Sequence, residues 1–152
     1  MGPDCCPSCD LSTAIPGSKL EVLRQPDPMG MGIERLTVDV DLDGKNVAHA
    51  TGSYSEGFFL VGMVWVSSEY RGRGVASRML NCLRERTGLP VLPLAVEHNR
   101  RAVEFWAEWL HRQSGVPLAR ARRYALAFQD TDPVTHGNPK WLPAEQLAPL
   151  LK

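Results

Sequence analysis

Arg71, Gly72, Arg73, Gly74 and Ser77 stand together between a nearly all-apolar run, 57–66, and a stretch of helical spacing, 74–87. Residues of these types in that place suit the binding of an anion. The first N–H groups of a helix lack carbonyl partners and lie at the positive end of its dipole. Glycines let a phosphate approach those groups, and arginines add charge-assisted bonds. A nucleotide P-loop needs Lys-Ser or Lys-Thr after its last glycine, and Val75-Ala76 follow here instead. A dinucleotide loop is a nearer rival, because Gly72-x-Gly74-x-x-Ser77 keeps two of its three glycines and Glu97 lies at about the required distance. Against it, the five residues Ser67 to Arg71 separate the apolar run from the first glycine, where that turn is tight. A solvated charged turn leaves the glycine spacing without a reason.

Other groups capable of chemistry are scattered. Glu97 and His98 follow a second apolar run, 91–96, and are the first candidates for acid–base work. Glu56, His49 and Tyr124 are lesser ones. Cys6-Pro-Ser-Cys9 has the spacing of half a zinc site, but no second Cys or His pair follows at ligand distance, so no metal is expected. Cys5 shares that Pro/Gly/Ser-rich stretch, and Cys82 reads as a small buried hydrophobe within a helical pattern.

The elements that must position these groups are legible from periodicity. "LEVLR" (20–24) reads as a first strand, and "QPDPMGMG" then breaks regular structure. Residues 33–42 alternate, with Leu36, Val38, Val40 and Leu42 on one face, and Asp43-Gly44 marks a tight hairpin turn into the return strand 46–54. The run 57–66 suits a central strand covered on both faces. A helix over 74–87 stops at Gly88, a strand follows over 91–96 with Pro93 inside it, and a second amphipathic helix covers 99–112. "RYALAF" (123–128) reads as a late strand, and the last residues offer a short helix carrying Leu147, Leu150 and Leu151. The fold class is α/β (α+β), a mixed, mostly antiparallel sheet flanked by helices. Residues 1–18 are expected as a flexible tail, 19–130 as the domain, and 131–152 as a C-terminal extension.

"VWVSSEYRGRGVASRML" resembles motif A of the GNAT superfamily of N-acetyltransferases, whose core Gln/Arg-x-x-Gly-x-Gly/Ala is met by Arg71, Gly74 and Ala76. "VEHNRRAVEFW" is similar to the strand and helix that follow it in the family, with Asn99, Ala102, Phe105 and Trp106 in the matching places. The resemblance covers 57–110. It implies a sheet splayed at an acyl-CoA site, with acetyl-CoA as co-substrate. The N–H groups of Gly72, Arg73, Gly74, Val75, Ala76 and Ser77 would cradle the pyrophosphate, with Arg71 and Arg73 beside it. The backbone of Val64, Trp65 and Val66 would pair with the pantetheine arm and polarise the thioester carbonyl. Asn99 would cap the second helix and reach the cofactor arm.

The resemblance is incomplete at the catalytic positions. Many relatives place a Tyr where Trp106 stands, and indole is no useful acid. Those that modify protein N-termini often carry a Glu where Ala95 stands. The helices that usually form one acceptor wall have only "QPDPMGMG" in their interval, so an open acceptor side is expected. The expected activity is direct acetyl transfer to a primary amine, on a small molecule or a macromolecule, in a ternary complex. The alternative is an acyl-CoA-binding pseudoenzyme with a regulatory or scaffolding role.

Seventeen basic residues balance seventeen acidic ones, which removes any global pull toward nucleic acid. Arg112, Arg120, Arg122 and Arg123 still make 112–124 a local basic segment. No apolar stretch reaches the ~20 residues of a membrane span, and no export signal is visible. The chain is expected in the cytoplasm, as a monomer or homodimer.

Overall fold

The computed structural model describes residues 11, 13–25, 34–55, 57–93, 96–97 and 99–129. Four strands follow one another as an antiparallel meander: β1 (Lys19–Gln25), β2 (Arg35–Leu42), β3 (Lys45–Ser55) and β4 (Phe58–Val66). A helix, α1 (Val75–Thr87), then crosses to β5 (Val91–Pro93), giving a five-stranded mixed sheet in chain order. The N–H of Phe59 donates to the carbonyl of Pro90 at 2.9 Å, which fixes the entry to β5 beside β4. The chain divides into two compact units, one ending at Val91 and the other starting at Leu92.

In the first unit the sheet is set by alternation and by two irregularities. Asp43 and Gly44 both take positive φ, 53° and 79°, the conformation that a two-residue hairpin turn demands. Each of the next two pairings then gains one residue. The β2–β3 register skips Val47, and the β3–β4 register skips Gly62. Beyond these bulges Val38, Val40, Ala48 and Ala50 are fully buried on one face. Thr37, Asp39, His49, Thr51, Met63 and Trp65 share the other. α1 packs on β2, β3 and β4 through Val75, Met79, Leu80, Cys82 and Leu83.

Gly52 marks the tightest approach in this sheet. A Cβ there would lie 2.3 Å from the carbonyl oxygen of Leu60 and 2.6 Å from Cε2 of Phe59. The Phe59 ring covers the glycine and meets Tyr54 edge to face at 5.4 Å.

Of the expected 1–18 tail, residues 11 and 13–18 are described. Leu11 and Ile15 are buried, the N–H of Ile15 donates to the carbonyl of Leu11 at 2.8 Å, and Gly17 lies against Leu42. These apolar side chains were hidden in a polar, proline-containing context that reads as loop. Cys82 is fully buried in α1, as expected, and is also disulfide-bonded. Cys5, Cys6 and Cys9 lie outside the described residues, as do most of "QPDPMGMG", Glu56, Ala95 and the extension 131–152.

The second unit is a helix pair. α2 (Arg100–Ser114) ends at Gly115, whose N–H donates to the carbonyl of His111 at 2.9 Å. α3 (Leu118–Gln129) replaces the strand expected at 123–128. Over six residues Tyr-Ala-Leu-Ala imitates strand alternation. The burial of Ala121, Tyr124 and Ala125 shows the helical spacing of three and four, and the Ala/Arg/Leu content favours it. Tyr124 is therefore a buried packing residue of α3, a helix that contacts α2. Glu104 and Arg122 pair at 2.9 Å across the two helices, and that hydrogen bond holds the Glu104 carboxyl below the usual range. Both side chains are substantially exposed, so the pair orients more than it stabilises.

Two outcomes follow from this packing. Gly52→Ala forces backbone against a carbonyl that cannot rotate away, and should destabilise the chain by about 1–3 kcal/mol in a urea titration. Thiol titration of the unfolded chain before and after reduction should expose at least two more cysteines after reduction; equal counts would deny the Cys82 disulfide.

Candidate functional site

The site begins where β4 stops being a core strand. Phe58 to Val61 are buried, whereas after the Gly62 bulge Met63 is 55% exposed and Trp65 41% exposed. The same nine residues thus provide a packed anchor and an accessible working end. Val64 is half-buried and Val66 is buried, while Trp65 between them is exposed, so this end of the strand carries both covered and accessible side chains.

The chain between β4 and α1 is closely tied. The N–H of Ser67 donates to the carbonyl of Val47 at 2.8 Å, and a single 3-10 turn follows at Ser68–Tyr70. Arg71 folds back, its Nε donating to the carbonyl of Val66 at 3.0 Å. Arg73 donates through Nη1 to the carbonyl of Ala14 at 3.2 Å and lies over the Tyr70 ring at 5.2 Å. Both arginines brace the loop that carries them.

Gly72 and Gly74 adopt φ of 80° and 78°, in the left-handed region that other residues enter at a cost. Apart from the chain neighbours, no atom of the described residues lies within 4 Å of a Cβ built on either, and the positive φ alone already favours glycine. Gly74 is the N-cap of α1 and brings no capping side chain. The first intrahelical bond runs from the N–H of Arg78 to the carbonyl of Gly74 at 3.0 Å. The N–H groups of Val75 and Ala76 stand ahead of it, at the positive end of a thirteen-residue helix. That arrangement can receive an anion.

Glu97 and Asn99 belong to the second unit. Asn99 caps α2, its side-chain oxygen accepting from the N–H of Ala102 at 2.8 Å. Its Nδ2 donates to Glu97 Oε2 at 3.1 Å, so Glu97 orients the cap residue. His98 lies outside the described residues. Trp106, where many relatives hold Tyr, is buried and meets Phe105 edge to face at 5.3 Å.

One pair went unrecognised in the sequence. His49 Nδ1 lies 2.7 Å from Asp39 Oδ1 on the face that carries Trp65. His49 was visible as a candidate, but Asp39 was not. A regular hairpin from Asp43-Gly44 would set Asp39 opposite Ala48, and only the extra Val47 brings it opposite His49.

No helix among the described residues is long and apolar enough to cross a membrane. Searches of curated proteins and of solved structures gave no match. The family model for the acetyltransferase (GNAT) family matches residues 18–111, which spans β1 to β5, the glycine loop and most of α2. With more than half of the chain matched, and with the working end of β4, the glycine turn and the uncapped helix start in sequence, the protein belongs to the GNAT acetyltransferase family.

Proposed function

We propose that the chain is an N-acetyltransferase that moves an acetyl group from acetyl-CoA to a primary amine by direct transfer. The observation that carries this reading is the pair of left-handed glycines, Gly72 and Gly74, opening onto the N-terminus of α1 at the end of β4. A pyrophosphate needs several N–H donors without competing side chains, and a helix start with no capping side chain offers them. The backbone of Val64–Val66, at the accessible end of β4, would suit the amide-bearing arm of coenzyme A, which pairs as a strand does. An N–H at that strand end would stabilise the oxyanion that develops on the thioester carbonyl.

The roles of the two arginines shift under this reading. Arg71 sets the bend after β4 through the Val66 carbonyl, and Arg73 ties the loop to the 11–17 segment. Their charge contributes to the local potential, while direct phosphate contact falls to the backbone. Glu97 serves the entrance to α2 through Asn99. The rate then rests mainly on holding thioester and amine together, with proton transfer as a smaller contribution.

Calorimetry with acetyl-CoA tests the donor site. Wild-type chain should bind, and Gly74→Glu, which adds negative charge where the pyrophosphate would sit, should lose at least about 10-fold in affinity. Gly74→Ala shares the backbone strain without the charge and serves as the control. Unchanged affinity in Gly74→Glu would refute the assignment. Acetyl-CoA binding without thiol release on any of a panel of primary amines would favour the pseudoenzyme instead.

A further inference from the structure

We propose that His49, held by Asp39, is the group that takes the proton from the acceptor amine, and that the amine reaches it over the open face of β2, β3 and β4. This rests on the acetyl-transfer reading above and names a residue for its proton step. The register places Glu21, Asp39, His49 and Trp65 side by side across four strands, in one row on one face. That face lies away from the fully buried set Val38, Val40, Ala48 and Ala50.

Three features separate this pair from an ordinary surface contact. His49 and Asp39 are both about three-quarters covered, at 27% and 25% side-chain exposure, yet neither is sealed from solvent. Asn46 Nδ2 bridges the Asp39 and Asp41 carboxylates, at 3.3 and 3.0 Å, which fixes the oxygen that faces His49. With Nδ1 donating to a carboxylate, the neutral imidazole carries its lone pair on Nε2, and Nε2 has no hydrogen-bond partner among the described residues. A carboxylate behind a histidine sets its tautomer and stabilises the imidazolium it becomes.

The surroundings suit an incoming ammonium ion. The charged groups facing His49 are Asp39 and, diagonally, Asp41 on β2, with Glu21 and Lys19 opposite them on β1. β4 contributes no charge there, only Trp65 opposite His49 and Met63 opposite Thr51. Carboxylates attract the cation, and an exposed indole offers it a cation–π face. Trp65 also lies between Val64 and Val66, the backbone assigned to the thioester arm, so base and donor meet on neighbouring strands.

The step balances as follows. The ammonium group passes one proton to Nε2, and the freed lone pair forms the N–C bond at the thioester carbonyl. The C–S bond breaks, the thiolate takes the second nitrogen proton, and the imidazolium returns its proton to water.

The test uses the full chain with acetyl-CoA and two cationic probes, lysine ethyl ester and spermidine. His49→Gln should leave acetyl-CoA affinity and melting temperature unchanged while lowering kcat by about 100-fold, and should remove the acid limb of the kcat–pH profile. Asp39→Asn should lower kcat less and keep that limb, since the proton acceptor remains. Intact acetyl-CoA binding with unchanged kcat in His49→Gln overturns the inference and leaves the donor reading standing. Wild-type chain that fails to bind acetyl-CoA overturns both, and wild-type chain that binds it but acetylates neither probe overturns the inference.

Discussion

Two extra residues govern which side chains of the sheet meet solvent. Side chains alternate along a strand, so one unpaired residue moves everything beyond it to the opposite face. Val47 does this between β2 and β3, and Gly62 does it between β3 and β4. Without the first, His49 would align with Val38 and point into the core. Without the second, Val64 and not Trp65 would stand opposite His49. The two shifts together set histidine, aspartate and tryptophan in one row and keep the alanines and valines beneath α1. A polar, partly exposed face and a packed face are thereby drawn from the same three strands.

The second constraint is backbone conformation at the helix entry. Gly72 and Gly74 turn the chain through the left-handed region twice in three residues, and among the described residues neither has a non-adjacent neighbour that a methyl group would strike. Gly52 is the opposite case, chosen because a carbonyl and an aromatic ring leave no space. The first kind of glycine lets the chain take a turn that other residues resist, and the second lets two strands and a ring close on each other. Only the structure tells them apart.

Much of this was legible in the residues. The alternation of 33–42, the Asp43-Gly44 turn, the apolar run before the glycines and the Gly74 and Gly88 helix bounds all come from local chemistry, and local chemistry decided them. What stayed hidden depends on contacts distant in sequence. Gly62, a lone glycine inside an apolar strand, does hint at a bulge, but Val47 carries no such signature, and its bulge is set by the pairing of β3 with β2. The 123–128 segment failed for a related reason: six residues fit a period of two, and the helical period emerged only against α2. The disulfide state of Cys82 and the burial of Leu11 and Ile15 likewise depend on tertiary context that a local window does not contain.

The meander has a kinetic meaning as well. β1 to β4 pair only with their neighbours in the chain, so each closure spans a short loop and little entropy is lost before a contact is gained. A chain emerging from the ribosome in order can therefore zip hairpin upon hairpin without waiting for later segments. The glycine turn and α1 arrive onto a sheet already assembled, with β4 as the growing edge. In that order the helix entry would be placed after the strands that support it.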